Sequence, residues 1–302
     1  MIHRSRLDKS PWSTVALFLL PSLIGFVIFI LIPSIMTVGL SFTDYSGGYR
    51  MSFIGLENYI RALGSPEFHH SLGLTIGFTI WVVFFQVVLG IAFALMLDKK
   101  QWGRNAFRAI YFLPNVLSSV AVSLVFMLLL DSRQGPVNQM IRSLFGVAGP
   151  LWLAGEKTAL PTIGMIVVWQ NFGYYMVLFL GGLQSINSTL YEASAIDGAG
   201  KVRQFFSVTL PGLSPVLFFS ITMAVIKAFQ VFDQVFSMTG GQYGGGPAGA
   251  TSVLVFDIYQ KGFGQFRFGY AAAESTILLI IVLAITVVQQ LGQKKWVVYD
   301  VV

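Results

Sequence analysis

Long uninterrupted apolar runs dominate this chain. A bilayer core takes about 20 apolar residues in a helix. Six stretches are long enough, approximately 14–40, 72–97, 107–130, 160–183, 213–236 and 268–291. They predict an all-α integral membrane protein with six transmembrane helices. Residues 14–291 then form a single transmembrane domain, flanked by an N-terminal segment, 1–13, and a tail, 292–302. Pro21, Pro33, Pro114 and Pro215 lie in or near these runs. Proline is tolerated there because neighbours can satisfy the freed carbonyls. Arg4, Arg6 and Lys9 precede the first run, as in a signal peptide. That run, however, carries no charge over about 27 residues, beyond the roughly 7–15 of a signal's apolar region. It reads as a retained membrane helix.

Composition agrees with lipid as the solvent. Of 302 residues, 55% are hydrophobic and only 11% charged, against roughly 25% charged in soluble domains. The net charge of +6 reads as membrane topology, not nucleic-acid binding, because cytoplasmic loops carry excess Lys and Arg. With the N-terminus inside, the inner segments hold Arg4, Arg6, Lys9, Lys99, Lys100, Arg104, Arg108, Lys201, Arg203, Lys294 and Lys295. The longer outer loops hold Arg50, Arg61, Arg133, Arg142, Lys157, Lys261 and Arg267. The bias places both termini and the loop 184–212 in the cytoplasm. The absence of cysteine excludes disulfides, a thiolate nucleophile and Cys-ligated metal. His69 and His70 are adjacent on a polar stretch and are not taken as a metal site.

The loop Tyr191–Pro215 reads YEASAIDGAGKVRQFFSVTLPGLSP. Glu192 to Ile196 suit a short helix, and Gly198 and Gly200 turn or break it. Phe205, Phe206 and Val208 suit a second short helix at the membrane surface, ended by Pro211. Nothing in the chain fits G-x-x-x-x-G-K-[ST], the phosphate-cradling loop. Gly200-Lys201 comes nearest, but Ala195 and Val202 break the pattern. The chain is therefore expected to bind no ATP in the usual way.

The order of residues in this loop resembles the EAA loop of ABC import permeases. That pattern is E-A-A, three residues, G, nine residues, I, one residue, L-P. Glu192, Ala193 and Ser194 stand at E-A-A, Gly198 at the glycine, Val208 at the isoleucine, and Leu210-Pro211 complete it. The departures are Ala to Ser and Ile to Val. The resemblance implies the type I importer permease fold, with the loop as a cytoplasmic coupling helix docked on a separate ATPase. Glu192, Ala193, Ser194, Asp197, Gly198 and Gly200 are its expected coupling residues. It further implies a dimeric ATP-binding subunit that holds ATP and magnesium, a homologous second permease forming a heterodimer, and an extracytoplasmic solute-binding protein. No cofactor is expected on this chain itself.

Other segments resemble the carbohydrate permeases of the maltose and glycerol-phosphate type. These are Ser41–Leu63, Trp169–Ile186 and Phe232–Gly241 with Gly245-Gly246-Pro247, where Gln242-Tyr243-Gly244 is an insertion. The implied solute is an oligosaccharide, polyol or glycerol phosphate. Matching on these anchors puts Asn115, Ser119, Gln170, Asn171, Tyr174 and Lys227 at positions lining the substrate path, with Trp169 alongside. Interhelical hydrogen bonding is the plainer role for such residues. For Lys227, two readings stand: an internal pair with Glu274, or contact with an anionic group on the substrate. A secondary transporter, or a permease for a non-sugar solute, is the alternative. A secondary transporter needs coupling carboxylates in the spans, and only Asp233 and Glu274 are available. A membrane enzyme needs a catalytic cluster, and none is evident.

Overall fold

The computed structural model describes residues 12–98, 103–240 and 244–297. Arg4, Arg6, Lys9, Lys99, Lys100, the Gln242–Tyr243 part of the insertion and residues 298–302 lie outside the described residues. No strand forms among the described residues apart from an isolated bridge between Thr43 and Phe53.

The helices follow the apolar runs. α1 (Trp12–Phe26) passes through a π turn, Val27–Leu31, into α2 (Ile32–Leu40). Pro33 explains the wide turn: it has no N–H for the ladder, and the preceding turn loosens. After a short α3 (Glu57–Leu63) come α4 (Pro66–Asp98), α5 (Arg104–Val116), α6 (Ser119–Leu129) and α7 (Pro136–Phe145). α8 (Ala159–Ser185) leads to α9 (Ser188–Ile196), α10 (Lys201–Gln204) and, after a π turn, α11 (Leu210–Gly212). α12 (Ser214–Phe229), α13 (Asp233–Met238), α14 (Leu254–Tyr259) and α15 (Phe268–Trp296) complete the chain.

Among the described residues, four helical stretches are long and apolar enough to cross a bilayer: Ala16–Leu40, Pro66–Asp98, Ala159–Ser185 and Phe268–Lys294. Two bent pairs raise the number to six if each counts as one span. Breaks divide two of the expected runs. The run 107–130 divides into α5 and α6, bent by 95°. Pro114 lies three residues before Leu117, and Leu117 and Ser118 are extended, with ψ of 147° and 129°. The run 213–236 stops at Phe229 and restarts as α13, because Phe232 leaves helical geometry (φ −141°). Pro211 does not end the segment before it. That segment runs on to Gly212, and the 68° bend falls at Leu213.

The chain divides into two compact units. One joins the chain up to Ala62 with Lys261–Ile277. In it, the Asn58 amide donates to Ser41 O and Thr43 O at 3.0 and 2.8 Å, closing the turn after α2. Lys261 Nζ and Glu274 Oε1 form a buried ion pair at 2.6 Å. Glu274 thus has a partner other than the one weighed above.

The second unit, Leu63–Gln260 and Leu278 onward, is organised around α8. Its core holds Tyr175, Met176, Phe179 and Leu180, each 1% exposed or less. Lipid gives helices no hydrophobic reason to associate, so close approach at small residues matters more than in water. α8 places Gly164 against Trp81 of α4, Gly173 against the Tyr111 carbonyl of α5, and Gly182 against Leu213 and Val216 beside α12. A straight central helix therefore meets three neighbours at near-contact distances.

Candidate functional site

The helix breaks in the second unit frame a cavity of about 200 Å³. α4 contributes Val82 and Gln86, the start of α6 Ser119, α8 Val167, Asn171 and Tyr175, and α12 Ala224, Lys227 and Ala228. The Gln230–Gln234 corner closes it. Non-helical backbone at membrane depth persists where it lines a cavity or is buried in protein. At the break after α12, Val231 and Phe232 line the cavity; at the other, Ser119 lines it next to the exposed Leu117 and Ser118.

Gln170 joins them. It is 2% exposed. Its Nε2 donates to Leu117 O, the carbonyl freed where α5 ends, at 3.1 Å. Its Oε1 accepts from Gln234 Nε2 of α13 at 3.1 Å. One buried amide on a straight helix thus satisfies groups from both discontinuities.

Of the residues expected to line a path, Ser119, Asn171 and Lys227 line this cavity. Asn115 stands behind it, donating from Nδ2 to Asn171 Oδ1 at 3.0 Å, while Asn171 Nδ2 donates to Val167 O at 2.9 Å. Tyr174 offers its ring face to Lys227 Nζ, 4.8 Å from the centroid. Gln170 is a buried brace and not a lining group. Trp169 is turned away, 41% exposed, with its ring 5.1 Å from Phe126. Gln86, Gln230, Asp233 and Gln234 line the cavity and were not among the expected residues. Gln86 is 3% exposed, and its Oε1 has no partner among the described residues. A buried acceptor left unmade costs about 1–3 kcal/mol, so this one is poised for water or solute. A lone amide within the run Trp81–Leu97 was the available signal, since polar groups in a span are costly and tend to be functional.

The expected coupling segment forms a compact projection. Asn187 Oδ1 caps α9 by accepting from Thr189 N at 3.0 Å, one of the first-turn N–H groups that lack a helical partner. Gly198 ends it with φ +76°, and Ala199 N returns to Ser194 O at 2.9 Å. Tyr191 OH meets Thr209 Oγ1 at 3.0 Å, tying α9 to the π turn before α11. Ser194, where the pattern has Ala, turns its hydroxyl back to Tyr191 O at 2.8 Å. Glu192, Ala193, Asp197, Gly198 and Gly200 are exposed. So are two large apolar side chains, Ile196 at 87% and Val202 at 74%.

A second cavity, about 320 Å³, is lined by Asp131, Ser132, Thr239, Gly246 and Pro247 among others. It places the Gly-rich segment beside the end of α6. The backbone N–H groups of Gln134 and then Arg133 hold the Asp131 carboxyl below its usual range.

These features define a polytopic membrane transport subunit: broken spans around a polar cavity, and an exposed helix–glycine projection between spans. The family model described as binding-protein-dependent transport system inner membrane component matches residues 86–297, and the chain belongs to that family. It is 34% identical over 276 residues to the trehalose/maltose transport system permease protein MalF of Thermococcus litoralis, covering 90% of each chain. It is 35% identical over 280 residues to the multiple sugar-binding transport system permease protein MsmF of Streptococcus mutans, covering 92% of this chain and 94% of that one. In fold it is similar to a chain of a bacterial alginate ABC transporter crystallised with an alginate pentasaccharide-bound periplasmic protein. The TM-score is 0.80 at 23% identity, over 94% of each chain.

Proposed function

We propose that this chain is the permease subunit of an ATP-driven, binding-protein-dependent importer for a sugar or sugar derivative. The observation that carries the reading is the α9–Gly198 projection, whose exposed Ile196 and Val202 stand between two membrane spans. An apolar knob with a charged rim, Glu192, Asp197, Lys201 and Arg203, fits a groove on a partner protein. In this reading the partner is a dimeric ATPase holding ATP and magnesium, and its closure drives rigid-body movement of the spans. A homologous permease completes the path, and an extracytoplasmic binding protein delivers the solute. The domain is 14–291, its coupling loop 184–212 faces the cytoplasm, and both termini lie there too. The relatives named for maltose, trehalose and multiple sugars support a carbohydrate solute.

The cysteine-free sequence gives a direct test. Single variants Ile196→Cys and Ser132→Cys are expected to label from opposite sides of the membrane with an impermeant maleimide. Ile196→Cys should react only in inside-out vesicles, and assembly with the ATPase should protect it. Labelling of Ile196→Cys from outside, or no protection on assembly, would contradict the orientation and the docking role.

A further inference from the structure

The cavity beside α12 holds one cation with which no carboxylate pairs directly. Lys227 is the only Lys or Arg among the lining residues. Among the described residues, no carboxylate lies within the 4.0 Å of an ion pair from its Nζ. Its neighbour is the Tyr174 ring. A ring face attracts an ammonium, yet it leaves the N–H groups free to donate elsewhere. A cation in a membrane span is costly unless paired or hydrated. Glu274, the partner weighed for Lys227 from the sequence, pairs with Lys261.

The wall also offers acceptors. Gln86 Oε1 is buried, faces the cavity and has no partner among the described residues. Asp233 also lines it, beyond the break after α12. Asn171 and Gln234 are already engaged, with Val167 O and Asn115 on one side and Gln170 on the other. Ser119 and Gln230 add groups that both donate and accept. A neutral polyol satisfies these and the acceptors. A solute that also carries negative charge meets the ammonium as well, through the short charge-assisted bonds such pairs make.

We propose that the solute passing this cavity is a sugar bearing an anionic group, a carboxylate or a phosphate, which Lys227 binds while Gln86 and Asp233 take its hydroxyls. The proposal rests on reading the chain as a carbohydrate permease. Its test is uptake by the complete importer in proteoliposomes with three probes: a hexuronate disaccharide, its neutral hexose counterpart and a hexose phosphate. Lys227→Met should reduce uptake of the acidic probe about tenfold or more, the scale of one lost charge-assisted bond. Lys227→Arg should retain it, and the neutral disaccharide should be carried poorly by wild type and variants alike. Whether the uronate or the phosphate is the better substrate identifies the anionic group. The proposal is overturned if wild type carries only the neutral sugar, or if Lys227→Met lowers acidic and neutral uptake equally. No uptake of any of the three, with the assembled complex still hydrolysing ATP, would overturn the carbohydrate reading itself.

Discussion

Alanine in place of Gly173 is expected to lower the melting temperature of the purified chain by about 10 °C, the shift that roughly 3–4 kcal/mol gives in a protein of this size. A Cβ at this position would stand 1.8 Å from the Tyr111 carbonyl oxygen and 2.5 Å from its carbon. Both atoms are backbone inside α5, so no side chain can swing aside. Overpacking a well-packed contact costs about 1–3 kcal/mol and occasionally more, and here the whole of α5 must retreat from α8. The move would also pull Leu117 O away from Gln170, which holds the break between α5 and α6. Gly181→Ala, on the same helix with nothing within 4 Å of its Cβ, serves as the control. It should leave the melting temperature unchanged or raise it slightly, since alanine is a better helix former than glycine by about 1 kcal/mol. Equal melting of the two variants would show that α5 and α8 do not pack as described.

Valine at position 198 acts on the projection after α9 and on a different property. Gly198 has φ +76°, a conformation that costs a branched residue about 1–3 kcal/mol. Nothing crowds its Cβ position, so the strain is in the backbone alone. The turn that returns Ala199 N to Ser194 O would open, and Ile196 would leave the orientation it holds on the projection. The expected result is a loss of ATP-driven uptake of roughly 5- to 150-fold, the range of a coupling energy of that size. Melting of the permease itself should move little, because the segment is exposed and buries few groups. Gly198→Asn, which tolerates a left-handed conformation better, should restore part of the uptake. A valine variant with full uptake would mean that the turn plays no part in coupling.

The two sites were unequally legible in the sequence. The loop was readable because its features are local: Glu192, Gly198 and Leu210-Pro211 lie within one short segment, and the glycine position demands a particular backbone. The spans were readable as apolar runs. The breaks were not, because no charge or glycine interrupts 116–130, where α5 gives way to α6. The bend at Leu117 depends on Pro114 nearby and on the Gln170 amide 53 residues away. The same distance hid the role of Gln170, which looks like a lining residue by position and acts as a brace. Glu274 could not be assigned its partner from a hydropathy pattern that placed Lys261 in a loop. Gln86 was the avoidable omission, a single amide in an apolar run. Lys227 and Asn171 were legible because polarity inside a span already marks them.

The central claim is that this chain moves its solute by the work of a separate ATPase. Proteoliposomes containing the complete complex, loaded with ATP and supplied with binding protein and labelled sugar, test it most directly. Uptake should require internal ATP and magnesium, stop with vanadate, and persist when ionophores abolish every ion gradient. Uptake that continues without ATP and collapses with the ionophores would contradict the account, for it would make the chain an ion-coupled transporter.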